Sequence, residues 1–256
     1  MLKMAPKIFD YQRFKANLKL GDSNVIKLQA LLYEILEERL KLFSRNFNVK
    51  MVHDFKGCSL QESLIELSPE LTPIKQQCID LILSAGPFML TNDIPGVLRQ
   101  WYESLKPGGI FMASFFGEES LIELKECFFR VEEKLQIPHS LRFLPTVATK
   151  DAGMLMQRAG FYLPTADKTR LTLHASKLTD ILKCLKAMGG NILCDREKQG
   201  LSRTFLSLVE EEYFKSYSDQ PGLKITIDIV CMTGWAIERY AEERINQQKP
   251  KTLGYI

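Results

Sequence analysis

A chain of 256 residues, 45% hydrophobic and 25% charged, has the composition of an ordinary globular protein and enough length to bury one sizeable core. Its net charge is only +3, with Lys and Arg spread along the chain rather than gathered on one face, which argues against a nucleic-acid binder. No apolar run approaches the roughly 20 residues that span a bilayer, so a soluble protein with no membrane span is expected. The six cysteines, Cys58, Cys78, Cys127, Cys184, Cys194 and Cys231, are irregularly spaced with no C-x-x-C pair, so reduced thiols are expected rather than a disulfide framework or a zinc site.

Met1 to Lys19 is basic in the manner of a mitochondrial presequence but Lys-rich and Ser-poor, and reads as mature protein. Asp22-Ser23 can cap a helix whose apolar residues, from Val25 through Leu28, Leu32 and Leu36 to Phe43, recur at helical spacing. Val49 to His53 reads as a short strand. Ile79 to Ser84 reads as a second strand, more continuously apolar, as in a sheet covered on both faces. Between the two the pattern predicts little but loop and one short helix.

Asn92 or Asp93 starts a helix through Leu105, with Pro95 tolerated in its first turn. Lys106-Pro107-Gly108-Gly109 then turns the chain into a strand from Ile110 to Phe116. Helices are predicted over Glu118 to Leu135 and over Asp151 to Ala159, the latter closed by Gly160 as its C-cap. Extended structure follows from Phe161. Two further helices, Ser176 to Met188 and Leu201 to Tyr217, precede a strand Lys224 to Cys231. There Ile225, Ile227 and Ile229 alternate with Thr226 and Asp228, a period that predicts a half-exposed edge strand.

The fold class expected is α/β: a Rossmann-like, mostly parallel sheet with an antiparallel edge strand and a truncated first half. One domain over residues 1–240 is expected, with an N-terminal helical region over 1–45 and a helical insertion over 176–217, followed by a charged tail over 241–256. In such sheets ligands sit at the carboxyl ends of the strands.

Several stretches carry a family likeness. Ile79-Asp80-Leu81-Ile82-Leu83-Ser84, Asn92-Asp93-Ile94-Pro95-Gly96 and Leu105-Lys106-Pro107-Gly108-Gly109 look like the later motifs of class I S-adenosylmethionine-dependent methyltransferases. More specific are Phe115-Phe116-Gly117 with Ser120 to Lys125, and Phe143-Leu144-Pro145-Thr146 leading into Asp151 to Phe161. These resemble the branch that holds the malonyl-carrier-protein methyltransferases of biotin synthesis and the mitochondrial complex I assembly factor described as an arginine hydroxylase. The likeness covers roughly Phe9 to Trp235 and is nearer the assembly-factor side. It implies S-adenosylmethionine (SAM) as cofactor, a protein partner, and either a bacterial cytoplasm or, in a eukaryote, the mitochondrial matrix. It leaves the oligomeric state open.

The cofactor place departs from that pattern. A ligand of this kind needs glycines just after the first strand, where a Cβ would block its approach, and a later acidic residue for the ribose. Here the stretch is Val52-His53-Asp54-Phe55-Lys56-Gly57-Cys58-Ser59-Leu60: with Asp54 aligned to the D-x-G-x-G-x-G loop, Lys56, Cys58 and Leu60 stand where the glycines belong. The segment from Lys56 to Ile79 is also too short for two strand–helix units of about 30 residues each. Glu62, Glu66 and Glu70 lie in it without ending a convincing strand. As vestiges of a cofactor site the likeness leaves Asp54 and Gly57 after the first strand, and Ser84 and Gly86 at the end of the second. A plain turn would use the same Asp54 and Gly57.

Met89-Leu90-Thr91 stands where relatives carry His-Trp, so an aromatic wall is missing. His53, His139 and His174 show no ligand spacing, and no metal site is expected. Arg142 and Arg158 could meet an anionic carrier, although Arg158 also complements a helix end. Neither Asp93/Glu103 nor Glu118/Glu119 makes an acid–base pair, and no nucleophile elbow or triad is present, so no catalytic residue is assigned. Three functions are open: a methyltransferase-like factor that works by protein binding, plausible in complex I assembly; an active methyltransferase on a carrier-protein thioester or a protein; and arginine hydroxylation.

Overall fold

The computed structural model describes Phe9 and residues 23–54, 57–60, 63–65, 76–139, 143–188, 201–219 and 222–237. In chain order the elements are α1 (Ser23–Leu40), β1 (Lys50–Asp54), β2 (Gly57–Leu60), β3 (Ser63–Ile65), β4 (Ile79–Ala85), a 3-10 turn (Pro87–Leu90), α2 (Ile94–Ser104), β5 (Leu105–Phe116), α3 (Ile122–Leu135), α4 (Thr149–Ala159), β6 (Tyr162–Ala175), α5 (Leu178–Ala187), α6 (Arg203–Tyr217), β7 (Ser218–Asp219) and β8 (Gly222–Trp235). All the strands join one sheet in the order β3-β2-β1-β4-β5-β8-β6, with β7 paired to β8. β1, β4 and β5 are mutually parallel, and β3 and β6 run the same way; β2 and β8 run against them. Most strands therefore share one direction, and the sheet is the Rossmann-like α/β architecture the sequence predicts.

Every residue of β4 is buried, as its unbroken apolar run requires, because helices cover both faces. On one face α1, α3, α5 and α6 bring Leu32, Leu124, Ile181, Val209 and Tyr213 onto Leu81, Leu83, Ile227 and Ile229. On the other, α2 and α4 bring Leu98, Trp101, Ala152 and Met156 onto Ile82, Phe111, Val230 and Met232. Asn92 and Asp93 take separate structural roles. Phe9 N–H donates to the Asn92 Oδ1 at 2.9 Å, and the Asp93 carboxylate caps α2 by accepting from Gly96 N–H at 2.9 Å. Gly160 closes α4 at φ 102, the left-handed conformation for which glycine is suited.

Four expectations are corrected. Among the described residues the stretch after β1 holds two strands where mainly loop is expected, because an antiparallel neighbour needs no crossover helix. Glu62, Glu66 and Glu70, like Arg142 and the tail over 241–256, lie outside the described residues. The antiparallel strand β8 sits one place in from the edge, between β5 and β6, and is buried almost throughout. Glu123 accepts from Thr226 N–H at 3.0 Å and from its hydroxyl at 2.5 Å, while Ser120 Oγ bonds both the N–H and the C=O of Asp228, whose buried carboxylate has no hydrogen-bond partner among the described residues.

The same contacts delay α3, which begins at Ile122 rather than Glu118. Gly117 and Leu121 first donate their N–H groups to Asp228 and Thr226 of β8, with Leu121 at φ 57. Lys106 to Gly109, read as a turn, is absorbed into β5 as an irregularity in its pairing with β4.

Candidate functional site

The carboxyl ends of β1, β4 and β5 lie side by side, the edge at which sheets of this class hold ligands. At the end of β1 the chain turns back within two residues: Asp54 faces Gly57 across the β1–β2 ladder, and His53 faces Cys58. In a nucleotide-binding fold this is where a glycine turn delivers a helix N-terminus, with its free N–H groups and positive dipole end, to the ligand. Among the described residues no helix starts here, and Gly57 is a strand residue.

The reversal also moves the end of the second strand. Leu60, the last residue of β2, pairs with Met51, on the side of β1 away from the ligand edge. A carboxylate following β2 is thus delivered to the wrong end to meet a ribose. The described residues do not fit a cofactor held in the usual manner of this fold.

Ser84 and Gly86 stand at the end of β4. Ser84 lies opposite His53 in the β1–β4 register, and its Oγ is 3.0 Å from the His53 Nδ1, with both side chains fully buried. Burial pushes the His53 pKa down to about 3, so the imidazole is neutral. Its ring meets Trp101 edge-on at 5.4 Å, and neither His53 Nε2 nor Trp101 Nε1 has a hydrogen-bond partner among the described residues. His53, Ser84 and Trp101 are therefore turned inward, into the core. Of the four vestigial residues, the fold brings Asp54 and Gly57 together and sets Ser84 beside β1. Gly86, at φ 96 with its N–H bonded to Ser114 O at 2.8 Å, belongs to a separate feature.

That feature is a cleft at the ends of β4 and β5, enclosing about 570 Å³ with its open mouth included. Met89 and Leu90 of the 3-10 turn, Phe116 at the end of β5, Phe143 of the loop before α4, and Leu185 and Met188 at the end of α5 line it. Lys125, one turn into α3, is the sole charged lining residue among the described residues; Nζ donates to Glu118 O at 2.7 Å and lies 6.0 Å from the Phe143 ring centroid. Loss of hydration lowers the Lys125 pKa, against which the charges of Glu118 and Asp228 act only in part.

Sequence reasoning singled out Phe143 to Thr146 as a family motif but assigned no role to Lys125, Leu185 or Met188. A lysine among the apolar neighbours Leu121, Leu124 and Phe128 of one helix face was the available signal. Arg158 is exposed near the end of α4. No group of three or more His, Cys, Asp or Glu among the described residues could hold a metal ion, and none of their helices is long and apolar enough to cross a membrane.

Strand order, the two helical layers and a ligand edge at the ends of β1, β4 and β5 define the fold of class I SAM-dependent methyltransferases. A solved structure assigned as a methyltransferase, from Bacillus halodurans, superimposes with a TM-score of 0.51 over 79% of this chain and 99% of that one at 11% identity, a likeness of fold alone.

In sequence the resemblance holds to the branch that the motifs indicate. The chain is 26% identical over 235 residues to the zebrafish (Danio rerio) arginine-hydroxylase NDUFAF5, mitochondrial, covering 91% of this chain and 72% of that protein. It is 29% identical over 190 residues to the protein of the same name in Dictyostelium discoideum, covering 73% and 42%. It is 29% identical over 182 residues to the malonyl-acyl-carrier-protein O-methyltransferase of Gallionella capsiferriformans, covering 71% and 60%. The matched region thus spans between 42% and 72% of these relatives' own lengths. No family model matches the chain.

Proposed function

We propose that this chain is a methyltransferase-like factor that has given up the usual SAM site and acts by binding a protein partner, in the assembly of respiratory complex I. In a eukaryote it would work in the mitochondrial matrix, a reading supported by the word mitochondrial in the names of its NDUFAF5 relatives. The observation that carries the reading is the return of β1 into β2 at Asp54 and Gly57, which takes away both the helix N-terminus and the carboxylate that hold the cofactor elsewhere in the fold. Methyl transfer depends above all on placing cofactor and nucleophile in line, so loss of the cradle matters more than loss of any single base.

Calorimetric titration with SAM and with S-adenosylhomocysteine tests this, supported by the melting temperature. A ligand at 100 times its dissociation constant would add about 2.7 kcal/mol of stability, a shift that is easily read. The expected result is no heat and no shift at millimolar ligand, with a partner recovered from mitochondrial extract. Saturable binding would overturn the reading in favour of an active methyltransferase on a carrier-protein thioester or a protein, for which the relationship to the malonyl-carrier enzymes stands.

A further inference from the structure

We propose that the cleft at the ends of β4 and β5 is a binding site for a small amphipathic carboxylate, its apolar chain between Phe116, Phe143 and Met188 and its carboxylate on Lys125. Nothing in this depends on whether SAM binds, because the cleft is walled by the 3-10 turn, α3, the 143–146 loop and α5, and shares only Gly86 with the vestigial cofactor residues.

Three observations converge. The lining of the cleft is mostly apolar with few orienting polar groups, the make-up usual for ligand sites. Its walls come from elements far apart in the chain, with α5 bringing Leu185 and Met188 across from Phe116 and the 143–146 loop. It is also not uniformly apolar: Lys125 lines it as the one charged group among the described residues.

The charge of Lys125 chooses the class of ligand. An ammonium has three donors, and the hydrogen bond that Nζ makes to Glu118 goes to an uncharged acceptor, the main-chain carbonyl. The other polar lining side chain with a role, Ser120, is already committed to β8 through its bonds to Asp228 N–H and C=O. A carboxylate entering the cleft would meet a cation that is partly stripped of water and has donors to give, and charge-assisted bonds of this kind are the strong ones. A cationic head would be repelled, and a neutral head would leave the ammonium with only the partial compensation of Glu118 and Asp228. A second, aromatic contribution is already in place, since the Phe143 ring lies alongside the Lys125 ammonium at the cleft wall.

Isothermal titration of the full chain with decanoate, decanol and decyltrimethylammonium, each below its micelle concentration, is the test. Decanoate is expected to bind saturably at one site, decanol about tenfold or more weakly, and the ammonium not at all, as loss of one charged hydrogen bond predicts. Lys125→Met should bring decanoate down to the level of decanol and leave decanol unchanged, while Leu185→Trp, which fills the cleft, should abolish both. Circular dichroism and melting of each variant separate a blocked cleft from an unfolded chain, and the comparison of the three ligands on the unaltered protein needs no variant.

No saturable decanoate binding would overturn the proposal. Equal binding of decanoate and decanol would overturn it too, and would mark the cleft as a seat for an apolar side chain of a protein partner. So would decanoate binding by K125M as tight as that of the unaltered chain.

Discussion

The two sides of the sheet reach the same strand positions by different routes. From β4 onward the chain alternates strand and helix, and β4 and β5 are brought parallel by α2 packing Leu98 and Trp101 across them. On the other side of β1 the strands run as an antiparallel meander, β1 to β2 to β3. Both fill the order expected of a doubly wound sheet. What differs is what stands at the strand ends: a helix-bearing edge with an apolar cleft on one side, and strand-to-strand returns on the other. Fold and function thus part company along one seam, because the sheet needs only strands in place while a cofactor needs the helix N-terminus between them.

If the β4–β5–β8 half carries the stability, its aromatic centre should be the most costly place to cut. Trp101 is fully buried and touches His53, Phe88 and Phe111, so Trp101→Ala is expected to cost about 3–5 kcal/mol in urea unfolding. A loss below about 1 kcal/mol would break the comparison, since the helical layer could then not be what holds these strands together.

Next in size is the anchorage of α3 to β8. Glu123 is buried and receives two hydrogen bonds from Thr226, so Glu123→Ala leaves an N–H and a hydroxyl without their acceptor. The expected loss is about 1–3 kcal/mol, read from the denaturation midpoint at unchanged slope. Because α3 also carries Lys125, the same variant should weaken decanoate binding if the cleft takes that ligand, while a surface change such as Lys183→Ala should not.

The seam itself can be probed by pH. His53 titrates near 6.5 when unfolded and at about 3 when folded, so below pH 6.5 the unfolded chain takes up a proton that the folded chain refuses. Stability should therefore fall as pH drops, by up to about 1.4 kcal/mol per unit, and the window from about pH 6.5 to 5 lies above the range in which most carboxylates titrate. His53→Asn, which keeps a polar group beside Ser84, is expected to flatten that slope. An unchanged slope in H53N would mean that His53 is not shut inside the β1–β4 seam.

How much of this could be read beforehand depends on where the governing contact lies in the chain. The run Ile79 to Ser84, the cap at Asp93 and the stop at Gly160 are local signals, and the structure places each where the pattern predicts. The burial of β8 escapes the sequence because alternation of Ile with Thr226 and Asp228 looks like one wet face, whereas their partners, Glu123 and Ser120, come from residues 103 and 108 positions away. The β1–β2 hairpin carries neither an Asn-Gly nor a clean alternation, so its stretch reads as loop. The cleft is out of reach for the same reason as β8: Phe116, Phe143 and Leu185 meet only in three dimensions. Loss of the glycines after β1, a purely local feature, is legible, and it points to the same place as the hairpin.

The smallest effect expected tests how firmly the N-terminal helix is tied to the far edge of the sheet. Arg39 of α1 grips Asp167 of β6 through two hydrogen bonds of 2.5 and 2.6 Å, the planar fork on carboxylate that gives surface ion pairs their best geometry. That bond raises the Arg39 pKa, against the opposing effect of burial. Yet the two side chains remain 27% and 52% exposed, so water and salt screen the pair, and the long arginine gives up rotamer freedom to hold it. Screening wins over geometry: Asp167→Asn is expected to cost at most about 1 kcal/mol, and less as salt rises from about 0.05 to 0.5 M. A salt-independent loss of about 2 kcal/mol or more would show instead that α1 is latched to β6 as part of the core, and that the covered half of the sheet begins at its outermost strand.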